Sequence, residues 1–130
     1  MDCCKENRFY LCKICGNLIG MILCSGVEVH CCGEPMTQLI PNTVDASKEK
    51  HVPVITQNGN TVHVNIGSAD HPMTEAHHIQ WIYLETKQGG QRKCLAVDGK
   101  PAADFCLAGD ELVSAYAYCN LHGLWQAKVE

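Results

Sequence analysis

Asn58-Gly59-Asn60-Thr61-Val62-His63-Val64-Asn65-Ile66 is the stretch that decides the fold. Asn-Gly-Asn is a turn signal short enough to join two antiparallel strands. The run after it alternates. Val62, Val64 and Ile66 share one face, and Thr61, His63 and Asn65 share the other. Val54-Ile55, on the near side of the turn, supplies the partner strand. His63 lies on the polar face and reads as a surface histidine rather than a ligand.

Outward from this hairpin, Ile79 to Glu85, Lys93 to Val97, Ala103 to Leu107 and Leu112 to Tyr118 are further strand candidates, with Gln88-Gly89-Gly90-Gln91 as a turn. Strict alternation gives His77, Ile79, Trp81 and Tyr83 the same parity. It therefore predicts that His77 points where Trp81 points and that His78 points the opposite way. In the last run Tyr116 and Tyr118 alternate with Ala115 and Ala117. No amphipathic helix is visible after residue 47. Short strands separated by turn signals predict a β-sandwich.

The N-terminal part has a different character. Cys12-Lys13-Ile14-Cys15-Gly16 is a metal knuckle, with two cysteines flanking two residues and a glycine that permits the tight turn. Leu18 to Leu23 reads as a short strand, Ser25-Gly26 as a turn, and Val27 to His30 as a second strand. Cys31-Cys32-Gly33 closes the unit. Adjacent cysteines rarely bond to each other, but both can ligate one tetrahedral ion. A unit of about 37 residues cannot bury enough apolar surface to fold alone, so a metal is needed as a staple. Residues 1–37 are thus expected to form a first unit and 38–47 a connector. Residues 48–130 are expected to form the larger domain.

The chain has 130 residues, a 46% apolar fraction and a formal charge of -4, which argues against a general nucleic-acid binder. Ten cysteines is a high count. The N-terminus shows no secretory signal. The longest apolar run, Leu18 to Cys24, is interrupted by Gly20 and too short to span a bilayer. These features predict a cytoplasmic chain in which grouped cysteines bind metal. Cys24, Cys94 and Cys106 are expected to be buried small hydrophobes. Cys3 and Cys4 are close enough in sequence to compete for the first metal.

A second donor set lies in the larger domain. Cys119 and His122 in Cys119-Asn120-Leu121-His122 are three residues apart and can reach one ion. Plausible partners are His51, after Glu49-Lys50, and His71 and His77 in His71-Pro72-Met73-Thr74-Glu75-Ala76-His77. Zinc usually takes four ligands. Four imidazoles and a thiolate suit a redox-active iron with one position left open. Glu49-Lys50 alone would read as a solvated loop.

Taken together, these blocks resemble desulfoferrodoxin, the two-iron form of superoxide reductase, over nearly the whole chain. Cys12, Cys15, Cys31 and Cys32 fit the desulforedoxin pattern of a tetrathiolate iron. Glu49-Lys50-His51, His71-Pro72-Met73 with His77 and Trp81, and Cys119-Asn120-Leu121-His122-Gly123 with Trp125 fit the reductase domain. The resemblance implies a mostly β protein, with a small metal-stapled desulforedoxin-like domain followed by an immunoglobulin-like β-sandwich or barrel. It implies two irons per chain. One would be held by the four cysteines. The other would be held by His51, His71, His77 and His122 as equatorial ligands and Cys119 as axial ligand. Glu49 and Lys50 would sit over the open position. The reaction implied is one-electron reduction of superoxide to hydrogen peroxide, with rubredoxin or a similar small carrier as donor and a homodimer as the usual assembly. A non-catalytic iron redox carrier or sensor explains the cysteines but not Lys50. A structural zinc protein explains the first site but not four histidines with a cysteine.

Overall fold

The structure is a computed structural model and describes residues 3–129. The chain divides into two compact units, residues 1–40 and 41–130.

In the first unit, β1 (Cys3–Leu11), β2 (Leu18–Leu23) and β5 (Thr37–Leu39) form a sheet of order β2-β1-β5. A second, two-stranded sheet joins β3 (His30–Cys31) to β4 (Glu34–Pro35). Among the described residues of this unit, Phe9 and Cys12 are the buried apolar ones, whereas Ile14, Ile22, Leu23, Val27 and Ile40 are exposed. Such a core is too small to hold forty residues by hydrophobic burial alone. Two sequence expectations are corrected here. Val27 to Val29 do not form a strand. The Val27 amide is taken by the Ser25 hydroxyl at 3.2 Å, which bends the chain, and only His30 and Cys31 enter a ladder. Gln38 and Leu39 are not connector, since they pair with Tyr10 and Phe9.

The second unit is a sandwich of two antiparallel sheets. One has the order β10-β7-β6, from β6 (Pro53–Asn58), β7 (Thr61–Ile66) and β10 (Ala102–Cys106). The other has the order β12-β11-β8-β9, from β8 (Ile79–Thr86), β9 (Gly89–Cys94), β11 (Leu112–Cys119) and β12 (Gly123–Lys128). The expected hairpin is β6–β7, with Asn58 facing Thr61 across the turn. Val62, Val64 and Ile66 are fully buried and pack in one core with Ile82, Leu84, Ala115, Ala117 and Cys119 of the facing sheet. One helical turn, α1 (Lys48–His51), precedes β6. β12 was not anticipated as a strand. Its outer edge is occupied by Asn42, whose side chain donates to the Gln126 carbonyl at 3.0 Å and accepts the Gln126 amide at 2.8 Å.

The parity expected of β8 is overturned by a bulge. Trp81 faces Tyr118, but Cys119 faces Ile79, so Gln80 is the extra residue. The Gln80 carbonyl accepts the Leu95 amide at 3.0 Å. The insertion flips the face on one side of it. Ile79 points into the core with Ile82 and Leu84, whereas Trp81 lies on the other face of the sheet, still buried, and stacks on Tyr118 at 5.8 Å. The parity that linked His77 to Trp81 through Ile79 is therefore broken.

Candidate metal centres

The first centre gathers Cys12, Cys15, Cys31 and Cys32, whose sulfurs all lie within 4.8 Å of one another. Cys15 and Cys31 sulfurs are 3.7 Å apart and those of Cys31 and Cys32 are 4.0 Å apart. A tetrahedron with metal–sulfur bonds of about 2.3 Å has edges of about 3.8 Å, so the four sulfurs fit one ion. The knuckle holds this shape by backbone bonds. The Gly16 amide donates to the Cys12 carbonyl at 2.8 Å, and the amides of Cys15 and Asn17 point at the sulfurs of Cys12 and Cys15, each at 3.5 Å. Cys32 and Gly33 both take positive φ, which lets two adjacent cysteines aim at the same point. The thiols titrate apart. The Cys15 amide lowers Cys12 to about 6, whereas sharing protons with Cys15, Cys12 and Cys31 pushes Cys32 up to about 12. Four thiolates at this spacing require a cation among them.

Five elements build the second centre. His51 closes α1, and His71 follows β7. His77 precedes β8, Cys119 ends β11, and His122 sits in the turn before β12. The four rings form a closed cycle of edge-on neighbours. Their centres are 4.7 Å apart for His51–His71, 4.6 Å for His71–His77, 5.1 Å for His77–His122 and 4.9 Å for His122–His51. Across the diagonal, His51 and His77 are 6.3 Å apart. One ion about 2.1 Å from each nitrogen would put neighbouring ring centres about 4.5 Å and opposite ones about 6.4 Å apart. The cycle therefore has the dimensions of a square of four imidazoles around one ion. Cys119 is fully buried, and its sulfur lies 3.8 Å from His122 Nδ1.

Hydrogen bonds select the nitrogen that each ring presents. His51 Nδ1–H donates to the Ser47 carbonyl at 2.6 Å, and His71 Nδ1–H donates to the Pro72 carbonyl at 2.7 Å. Both therefore turn a bare Nε2 inward, and these two nitrogens are 3.2 Å apart. His122 presents Nδ1, 3.1 Å from His51 Nε2. His77 Nε2 is buried without a hydrogen-bond partner. Lone pairs facing one another at this distance, and an orphaned buried nitrogen, fit a shared cation. Burial lowers His71 to about 4, and burial followed by the charges of its neighbours also lowers His51 and His77. All three are thus held neutral, as ligands must be. Burial raises the Cys119 thiol, while the amides of Leu121 and His122 act the other way by favouring the thiolate.

Supporting residues fix the frame. Trp125 stacks on His51 at 4.9 Å and donates its indole N–H to the His122 carbonyl at 3.1 Å. Asn120 ties the two ligand-bearing loops together. Its Oδ1 accepts the His78 amide at 2.9 Å, its Nδ2 donates to the Ala76 carbonyl at 3.0 Å, and its own amide donates to the His78 carbonyl at 3.2 Å. Sequence reading passed over Asn120. The available signal was an amide side chain in a turn between two donors. Gly67 is a second omission. A Cβ there would run into the Glu49 carbonyl, which also accepts the Ala69 amide at 2.9 Å, so Gly67 is what lets α1 lie against this turn.

Glu49 and Lys50 are exposed on α1. The Lys50 charge reaches both His51 and His77, where it disfavours protonation. His78 is outside the ring cycle and bonds the Thr74 carbonyl, and His63 is exposed and pairs with Asp104 at 2.6 Å. Two cysteine expectations fail. Cys94 and Cys106 are exposed rather than buried, because they sit on β9 and β10, the edges of their two sheets. Cys24 is neither free nor a hydrophobe, since it is disulfide-bonded to Cys4, which removes Cys4 as a competitor for the first metal. Cys3 is a free, exposed thiol.

A sequence model of the family described as Desulfoferrodoxin matches residues 43–128. A desulfoferrodoxin from Nitratidesulfovibrio vulgaris is 44% identical over 124 residues, covering 95% of this chain and 98% of its own length. Among solved structures, the superoxide reductase from Treponema pallidum matches with a TM-score of 0.81 and 43% identity, over 95% of this chain and all of that one. A one-iron superoxide reductase from Giardia intestinalis matches with a TM-score of 0.55 and 37% identity, over 64% of this chain and 99% of its own.

Proposed function

This chain belongs to the desulfoferrodoxin family, and on that premise we propose that it is a superoxide reductase, reducing superoxide to hydrogen peroxide with one electron and two protons. The observation that carries this reading is the square of four imidazoles closed on one side by the buried Cys119. His51, His77, Cys119 and His122, with His71 Nε2 3.2 Å from His51 Nε2, would hold one iron, and Cys12, Cys15, Cys31 and Cys32 would hold the other. Iron bound by the five-donor site would supply the electron.

The protein residues do the rest. Cys119 lies in the core, which leaves the opposite side of the square as the open one, and Lys50 is exposed with its charge reaching His51 and His77. The chain carries a net charge of -4 and repels superoxide at long range, so attraction has to be local. Lys50 supplies it, and it orients water for proton delivery to the departing peroxide. Glu49, next to it, sits where a carboxylate can reach the same open side. His51 and His71, each anchored through Nδ1, keep their donor nitrogens fixed. The match to a one-iron superoxide reductase supports a chemical step that needs only the five-donor site. A rubredoxin-like carrier returns the electron, the working assembly is a homodimer, and the compartment is the cytoplasm. Among the described residues, no helix is long and apolar enough to cross a membrane.

The test is pulse radiolysis of the reduced, iron-loaded chain, with the products counted. One peroxide per superoxide and no dioxygen is the expected result. Evolution of dioxygen would make it a dismutase, and absence of reaction would make it a redox carrier.

A further inference from the structure

We propose that Cys4 and Cys24 form a reversible thiol–disulfide site that sets how firmly the first unit holds its metal, with small-molecule thiols and disulfides as reactants. The bond joins β1 to the residue after β2, with Cα atoms 5.3 Å apart, while the other eight cysteines stay free. It sits where the strand pairing is weakest. Cys3 faces Leu23 and Arg8 faces Met21, so five steps along β1 oppose two along β2, and β1 bows away between them. A covalent bond replaces the missing ladder there.

Its position bears on the metal. The bond closes a loop with a sequence separation of 20, and Cys12 and Cys15, two of the four sulfur donors, lie inside that loop. With only Phe9 and Cys12 as buried apolar residues among those described, the unit has little else to hold the loop when the ion leaves. Closing a loop of this length restricts the open, metal-free ensemble and should tighten metal retention by roughly ten- to a hundredfold. The sulfurs are reachable. Both cysteines are half-buried, and Cys24 lines a cavity of about 240 Å³ with Tyr10, Met21, Val27 and Met36. Disulfides that small thiols can reach are the ones that exchange, and this one is only half-buried.

The exchange balances. One protein thiolate attacks a small disulfide, forming a mixed disulfide and releasing one small thiol. The second protein sulfur then attacks the mixed disulfide, closing the Cys4–Cys24 bond and releasing the other. The protein dithiol loses two electrons and two protons, and the small disulfide gains them. The proposal rests on the four-sulfur centre alone and is independent of superoxide chemistry.

The test uses the full metal-loaded chain, equilibrated with either reduced glutathione or glutathione disulfide. Alkylation and peptide mapping locate the bond. Chelator titration, followed by the visible bands of the four-sulfur centre, measures retention. The oxidised chain should show a Cys4–Cys24 cross-link and need roughly ten- to a hundredfold more chelator than the reduced chain. Cys24→Ser should behave as the reduced chain under both conditions, and Cys3→Ser as the parent. Equal chelator midpoints for the oxidised and reduced parent would overturn the proposal. So would a cross-link mapped to Cys3, or a Cys24→Ser midpoint that still responds to glutathione disulfide. The parent comparison needs no substitution, so it stands even if a variant fails to fold.

Discussion

Replacing Asn120 by alanine should loosen the five-donor centre without touching a ligand. The substitution removes the acceptor of the His78 amide and the donor to the Ala76 carbonyl, both in the segment that carries His77. Each neutral hydrogen bond contributes about 1 kcal/mol net, and a part-buried group left unpaired costs about 1–3 kcal/mol. Two such bonds give about 2–3 kcal/mol, which corresponds to roughly 30- to 150-fold in an equilibrium constant. That range overlaps the ~10- to 100-fold usual for loss of a residue that orients a metal ligand. His77 is the ring most exposed to the change, because its buried Nε2 has no hydrogen-bond partner and its loop is held by the mutual Thr74–His77 bonds. The assay is competition for metal against a chromophoric chelator, run with thermal unfolding of the metal-free chain. Affinity should fall by roughly 30-fold or more, and Tm by roughly 10 °C for a unit of this size. Asn120→Asp keeps the acceptor for the His78 amide and loses only the donor, so it should fall in between. An Asn120→Ala chain with affinity within about twofold of the parent would show that the clamp does not position His77.

Lys50→Ala should slow the second-order reaction with superoxide by roughly tenfold, about 1.4 kcal/mol of barrier, and flatten its ionic-strength dependence. Pulse radiolysis across a salt series checks this, and a parental rate at every salt concentration would reduce Lys50 to a surface charge. Glu49→Ala should instead alter the resting oxidised spectrum and leave capture nearly unchanged. Cys119→Ser should abolish the thiolate charge-transfer band and the reaction, and a surviving band would assign the sulfur ligand elsewhere. Gly67→Ala should displace α1 through the Glu49 carbonyl and so weaken metal binding through His51, which closes that helix. For pH, His71 has a folded value near 4 against an unfolded value of about 6.5. Below about pH 6.5 the unfolded chain takes up a proton that the fold refuses, so the metal-free chain should keep full stability above that pH. It should lose stability as pH falls toward 4 and lose no more from this group below it. Denaturant unfolding from pH 7.5 to 4 measures this, and a flat profile would show that His71 titrates normally.

The alternation of Thr61 to Ile66 determined a half-buried strand, and its turn determined the hairpin, because both are properties of neighbouring residues. The metal-donor chemistry was equally local, since thiol and imidazole side chains announce themselves by type and spacing. Other features were decided only when distant segments met. Gln80 bulges because β8 must pair with β11 on one side and accept the Leu95 amide on the other, and that single insertion moved Trp81 off the face that alternation assigned it. A one-residue slip reverses every side chain beyond it, so no pattern within β8 alone can give its faces. Cys4 and Cys24 carried no distinguishing sequence signal, because what pairs them is the course of β1 beside β2. Asn120 became a clamp only when the loop before β8 came to rest on the turn after β11. The square of rings has the same origin. Its four imidazoles come from four separate segments, and their spacing is set by the sandwich that brings those segments to one end of a shared core.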